Sequence, residues 1–258
     1  MVDTSQSGFA YRFDWGPSGL QALGPGCAVI LVVDVLRFTT AVTVAVERGA
    51  CVYPYPWEDG QAAAYASARG AELAGLREDG GWSLSPTDLQ QLPPGTGLVL
   101  PSPNGSTIAY EASRLGVAHV VAACLRNATA AARVASLLAD GDPIGVIAAG
   151  ERGLDGTLRP AVEDLLGAGA VLAALDPSGA ISAPGCSPEA DAARAAFVAA
   201  RPRLPEGLAA SASGRQLVGR GWADDVAMAA AHDTSWAVPL LVGDAFVAPQ
   251  GAASSALN

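Results

Sequence analysis

Four short segments carry side chains suited to handling a phosphate-like anion, and each follows an apolar run. Asp34 closes the run 28–33, and Arg37 lies three residues on, so a carboxylate and a guanidinium leave the same point. The segment Pro101-Ser102-Pro103-Asn104-Gly105-Ser106-Thr107 follows a second run and precedes a helix-like stretch ending near Leu115. In such a turn a glycine lets the backbone approach a ligand. The free amides of a helix start, with the Ser106 and Thr107 hydroxyls, can donate to anionic oxygens. Gly150-Glu151-Arg152-Gly153 follows a third run, and Cys124-Leu125-Arg126-Asn127 a fourth.

Each segment also has a plainer structural reading. Asp34 can cap the next helix while Arg37 makes a surface ion pair, and Asn104-Gly105 can be an ordinary turn. Cys124 can be a nucleophile, a ligand-facing thiol or a small buried filler, the commonest fate of a free cysteine. Asn127, at a helix start, is the better contact candidate there. Glu163 and Asp164 occupy the first turn of an expected helix, where negative charge suits the helix dipole. Consecutive helical residues point about 100° apart, so one can face a crevice while the other caps. Mg²⁺ takes a few carboxylates plus water and phosphate oxygens, a set that Asp34, Glu163 and Asp164 could supply.

Positioning these groups requires an alternating βα chain. The runs 28–33, 50–55, 97–100, 118–123, 144–148 and 237–242 read as strands, with helix-length segments between most of them. Thr39 and Thr40 are candidate caps for a helix to Arg48, and Asn127 for a helix over 128–139. Pro160 suits the first turn of a helix through Leu175. The expectation is a three-layer α/β/α fold with a largely parallel or mixed central sheet, in which ligands gather outside the carboxyl ends of the strands. The 258 residues read as one domain, with an excursion near 76–96, a second polar connection at 178–188 and a frayed tail after about 248.

Composition narrows the chemistry. A formal charge of −10 with no basic cluster argues against nucleic acid and anionic lipid. All 15 cationic residues are arginine, so a Schiff-base lysine, a P-loop lysine and an Asp-Lys-Cys triad are excluded. Four scattered cysteines form no Cys-x-x-Cys pair. The longest apolar run falls far short of a membrane span, and the first residues lack the pattern of a secretory signal, so a cytoplasmic protein is expected. Leu36 stands where haloacid-dehalogenase-type phosphatases place a second Asp, which argues against aspartyl-phosphate chemistry at Asp34.

Taken together, Val33-Asp34-Val35-Leu36-Arg37-Phe38-Thr39-Thr40, Pro103-Asn104-Gly105-Ser106, Ala149-Gly150-Glu151-Arg152 and Arg159-Pro160 through Glu163-Asp164 to Ala170 resemble the 2-phosphosulfolactate phosphatase family. The similarity continues through Ser213-Gly214-Arg215-Gln216-Leu217, Asp224-Asp225-Val226 and Val238-Pro239, covering roughly residues 25 to 242. The resemblance implies a cytoplasmic α/β/α enzyme that uses Mg²⁺ to hydrolyse the phosphate monoester of a small 2-hydroxy acid. A carboxylated ester such as a phospholactate fits these residues as well as a sulfonate. On this reading Asp34, Arg37, Glu151 and Glu163 are the catalytic candidates. Asn104, Gly105, Ser106, Thr107, Asn127, Arg152 and Arg215 bind substrate, and Phe38 shapes the pocket. A non-catalytic anion-binding protein and a hydrolase using Cys124 are the alternatives. Assembly into a homodimer is left open, since the sequence marks no interface.

Overall fold

The computed structural model describes residues 4–56, 60–153, 155–177 and 185–249. Strands occupy β1 (Tyr11–Trp15), β2 (Val29–Val33), β3 (Cys51–Pro56), β4 (Glu72–Leu73), β5 (Gly97–Ser102), β6 (His119–Ala123), β7 (Ile144–Ala148), β8 (Glu151–Arg152), β9 (Leu158–Arg159), β10 (Leu240–Val242) and β11 (Ala245–Val247). Helices are α1 (Gly16–Leu23), α2 (Phe38–Glu47), α3 (Ala62–Ala68), α4 (Pro86–Leu89), α5 (Gly105–Arg114), α6 (Ala128–Ala139), α7 (Val162–Leu175), α8 (Pro188–Ala200), α9 (Leu204–Ala210), α10 (Ala212–Gly219) and α11 (Ala223–Ala229). Among the described residues nine strands form one sheet, ordered β1-β7-β2-β6-β10-β11-β3-β5-β4, and β8 pairs with β9 beside it. Helices cover both faces, giving the expected three-layer α/β fold with a mixed sheet.

β2 lies between β7 and β6, parallel to both. Its five residues are all buried because both faces are covered: Val29, Leu31 and Val33 pack with α6 and α7, while Ile30 and Val32 pack with α2 and α5. The antiparallel β10–β11 hairpin then reverses the sheet, so β3, β5 and β4 run opposite to β1, β7, β2 and β6. A shared carboxyl edge therefore does not account for the exit of β5 reaching that of β2. Instead, α2 and α5 each touch strands of both halves, and Leu98 and Leu100 join the buried cluster of Ile30 and Val32.

Several local expectations shift. The run 237–242 yields only the short β10, antiparallel to its neighbours. β1 was not anticipated, although Tyr11, Phe13 and Trp15 alternate with Arg12 and Asp14 in the period of a half-buried strand. α7 begins after Pro160, with Ala161 at its cap. The stretch 76–96 holds α4, whose cap Ser85 accepts from Asp88 N, and it packs on α2 and α11. Most of 178–188, and the tail from 250, lie outside the described residues. Among those described, no helix is long and apolar enough to cross a membrane.

α7 is buried on most sides, and α8 packs against it through a glycine. A Cβ on Gly169 would lie 2.1 Å from the Ala193 main-chain oxygen, a contact that backbone must move to relieve. A Cβ on Gly207, in α9, would meet nothing within 4 Å. Gly169→Ala is therefore expected to lower the unfolding free energy by about 2 kcal/mol or more. Gly207→Ala should raise it by roughly 0.5 to 1 kcal/mol through helix propensity. Urea titration of the two variants checks both signs.

Candidate active site

Asp34 leaves β2 into a turn that its own carboxylate closes. Oδ1 accepts from Phe38 N at 3.1 Å, and the Asp34 main-chain oxygen accepts from Thr39 N at 2.9 Å. The N-cap position of α2 is Arg37, without a side-chain cap; Asp34 serves the first helical amide, and the Thr39 and Thr40 hydroxyls do not cap but donate back to the Asp34 and Val35 carbonyls. The second carboxylate oxygen accepts from Gly105 N at 2.9 Å. A Cβ at Gly105 would stand 2.7 Å from Asp34 Cβ, so the close approach that glycine permits here is to Asp34. Phe38 is fully buried against Phe246 and does not shape the cleft.

The turn 101–107 is correspondingly different from an open phosphate cradle. The Gly105 amide serves Asp34. Ser106 Oγ accepts from Tyr55 N at 2.6 Å and donates towards the Tyr55 and Leu100 carbonyls. Thr107 Oγ1 donates to the Ser102 carbonyl at 3.1 Å. These donors hold β3, β5 and α5 together, which leaves Ser102, Pro103 and Asn104 to face the cleft. Asn104 Nδ2 donates to Glu151 Oε1 at 3.5 Å, while its Oδ1 accepts from Arg152 N at 3.2 Å. The turn therefore positions Glu151, which the β8–β9 hairpin carries into the same space.

Glu163 and Asp164 diverge as the helical step requires. Asp164 Oδ1 accepts from Val35 N at 2.7 Å and Oδ2 from Gly150 N at 2.9 Å, so it clamps the exits of β2 and β7. Glu163 is also buried, yet among the described residues its Oε2 has no hydrogen-bond partner. Burial pushes the Asp34 carboxyl up to about 6; the Gly105 and Phe38 amides oppose this, and Glu151 and Glu163 reinforce it. Burial likewise raises Glu151, against the pull of Asn104 and Arg159. It raises Asp164 strongly, with Asp34 and Glu163 adding to the effect.

Arg37 brings positive charge to this acidic cleft. Its Nη1 donates to Asp225 Oδ2 at 2.8 Å, and its Cζ lies 4.7 Å from the Trp222 ring centroid. Asp225 is buried and also accepts from Ser85 Oγ at 2.7 Å and Thr87 Oγ1 at 2.6 Å, so the 76–96 excursion fixes the arginine from behind. Burial alone would raise the Asp225 carboxyl, but the hydrogen bonds from Ser85, Thr87 and Arg37 outweigh it and hold it below its usual range. The cleft, about 280 Å³, is lined by Asp34, Arg37, Ser102, Asn104, Glu151 and Arg220, among others.

Other anticipated residues lie elsewhere. Asn127 is fully buried: its Oδ1 accepts from Cys124 N, and its Nδ2 donates to the Ala122 and Ala237 carbonyls, so it braces β6 instead of meeting a ligand. Its side chain does not cap α6 either. Cys124 is the buried filler, and burial raises its thiol pKa, the opposite of what a nucleophile needs. Arg152 lines neighbouring grooves outside the Asp34 cleft. α10 turns Ser213, Gln216 and Leu217 to the cleft, with Arg220 at its end, whereas Arg215 bonds the Ala210 carbonyl from an exposed position. The spacing 213, 216, 217, 220 is one helical face, and 215 is off it. Arg220, Trp222 and Asp225 carried no role in the sequence reading, although Asp225 stood within a family-like segment.

Among the described residues no three His, Cys, Asp or Glu side chains are arranged as a ready metal-ligand set. The unpartnered Glu163 oxygen beside further carboxylates nevertheless suits a hard cation whose remaining ligands are water and substrate oxygens.

A three-layer α/β fold whose strand exits join buried carboxylates to an anchored arginine is suited to an enzyme of the phosphoric monoester hydrolase class. The profile of the 2-phosphosulpholactate phosphatase family matches residues 20–244, and the chain belongs to that family. It is 34% identical over 234 residues, 85% of this chain and 91% of the relative, to a "Probable 2-phosphosulfolactate phosphatase" of Thermus thermophilus. To the "2-phosphosulfolactate phosphatase" of Methanothermobacter thermautotrophicus it is 30% identical over 221 residues, covering 83% and 87% of the two chains.

Asp164→Asn leaves one of two main-chain amides facing a donor, so a stability loss of about 2 kcal/mol is expected by urea titration. Asp225 has a lowered folded pKa, so its contribution is complete above the ordinary Asp value of about 4 and disappears as pH falls through the folded value. Asp225→Asn should be less stable at neutral pH and show a flatter acid limb, read from melting temperature between pH 2 and 7.

Proposed function

We propose that this protein hydrolyses the phosphate monoester of a small 2-hydroxy acid, 2-phosphosulfolactate or a close analogue, to the free hydroxy acid and phosphate. The observation that carries the reading is the Glu163 oxygen, unpartnered among the described residues and buried close enough to raise the pKa values of Asp34 and Glu151, which line the cleft with Arg37. An anionic ester entering so acidic a space needs a cation between the two sets of negative charge. Glu163 and Asp34 would hold Mg²⁺. When bound, it would neutralise these carboxylates and the phosphate oxygens and favour charge development in the transition state.

Arg37 orients the phosphate, its guanidinium restrained by Asp225 and the Trp222 face. Glu151 accepts the proton of the attacking water, and its raised pKa makes it a better base than an exposed carboxylate. Asn104 holds Glu151 in place. The water oxygen bonds to phosphorus as the ester P–O bond breaks, and the leaving oxygen takes a proton from solvent, to which Glu151 returns the one it accepted. Asp164 does not act as the base, since both its oxygens accept main-chain amides.

Purified protein with Mg²⁺ should release phosphate from 2-phosphosulfolactate and 2-phospholactate, and chelation should abolish the release. Glu163→Gln should lower kcat by roughly 10²–10³-fold and remove the rise in melting temperature that Mg²⁺ produces in the unaltered protein. Absence of phosphate release from every ester tested, with ligand binding retained, would show an anion-binding protein instead.

A further inference from the structure

A second chamber of about 470 Å³ adjoins the acidic cleft, sharing Arg37, Leu84 and Arg220 with it. Neither Asp34 nor Glu151 lines this chamber. Its walls include Leu76, Pro101, Arg77, Glu78 and Trp222, a mixture of apolar surface, guanidinium and one carboxylate. Three arginines meet one indole here: the Cζ atoms of Arg37, Arg220 and Arg77 lie 4.7, 5.4 and 5.7 Å from the Trp222 ring centroid. Asp225 pairs with Arg37 and Arg77, and Asp88 pairs with Arg77. Among the described residues Arg220 makes no ion pair with any carboxylate.

The chain places Arg220 by local means. It follows the last turn of α10, where its amide donates to the Gln216 and Leu217 carbonyls. Gly221 adopts φ +83°, a left-handed conformation that favours glycine, and Trp222 N returns to the Leu217 carbonyl at 3.0 Å. This turn sets the 220 guanidinium on the 222 ring at the boundary of the two chambers. A planar cation beside an aromatic face, without a carboxylate partner among the described residues and between an acidic cleft and an arginine-rich chamber, is suited to an anion on the ligand's organic part.

We propose that Arg220 receives the second anionic group of the substrate, the sulfonate or carboxylate beside the ester, and so selects acidic esters over simple ones. The proposal rests on the phosphatase reading above. Arg37 then holds phosphate on one side of the boundary while Arg220, exposed at the surface, holds the organic anion on the other, with the Trp222 ring beside both guanidiniums.

The test compares kcat and KM of the Mg²⁺-loaded protein for 2-phosphosulfolactate, 2-phospholactate and glycerol 2-phosphate, which lacks the second anion. Arg220→Ala should lower kcat/KM for the two acidic esters by about 10- to 100-fold, mainly through KM, and for glycerol 2-phosphate several times less. Arg220→Lys should recover part of the difference and serves for the comparison if Arg220→Ala does not fold. The ratio between the two acidic esters tells sulfonate from carboxylate recognition. An equal loss on all three esters, or no loss, overturns the proposal. Calorimetric titration with free sulfolactate separates the two readings. If the unaltered protein hydrolyses no ester yet binds sulfolactate through Arg220, the phosphatase reading falls alone. If it hydrolyses esters and Arg220→Ala changes neither turnover nor sulfolactate binding, Arg220 falls alone. If it neither hydrolyses nor binds, both fall.

Discussion

Two buried carboxylates that accept main-chain amides hold this site together. Asp34 ties its own exit turn to the start of α5, and Asp164 ties the exits of β2 and β7. An amide left unsatisfied at such depth costs about as much as a lost hydrogen bond. The three segments therefore keep these positions or lose several bonds at once. The cleft inherits its shape from that constraint, because Ser102, Asn104 and Glu151 all stand on segments so tied.

The same arrangement sets the electrostatics. Main-chain amides stabilise the charged forms of Asp34 and Asp164, but burial and neighbouring acids win and push both pKa values upwards. The acidic side of the cleft thus gathers carboxyl groups whose charged forms burial disfavours, which is why a cation belongs to the proposed chemistry. Across the cleft the balance reverses. Asp225 is the acid there, and Ser85 and Thr87 of the 76–96 excursion, with Arg37 itself from the turn before α2, hold it ionised so that it can anchor that arginine. The excursion, which the sequence presented as a polar surface connection, is part of the support for the site.

Much of the fold was legible because it rests on local pattern. The runs at β2, β3, β5, β6 and β7 announce themselves by β-branched apolar continuity, and α6 and α7 by length and flanking residues. The reversal of the sheet at β10–β11 was not legible, since strand direction follows from pairing and leaves no mark on a three-residue strand. For the site, Asp34, Arg37, Asn104 and Glu151 do meet in one cleft. Gly105, Ser106, Thr107 and Asn127 have the right chemistry but have spent it on the chain itself. Arg215 and Arg220 are five positions apart, and only the face that α10 presents tells which one reaches the ligand side.

The sequence by itself determined the inventory: strand-ending carboxylates, arginine as the sole strong cation, no lysine chemistry, and a family pattern across most of the chain. Tertiary structure decided which of those atoms remain available. Hydrogen-bonding capacity is consumed by partners far away in the chain, as when Gly105 reaches Asp34 across 71 positions or Arg37 reaches Asp225 across 188. A donor in a promising motif and a donor free to bind a ligand look alike until those distant partners are in place. That is why the turn 101–107 proved to be a brace for the site, and why, of the adjacent pair Glu163 and Asp164, it is Glu163 Oε2 that is left open among the described residues.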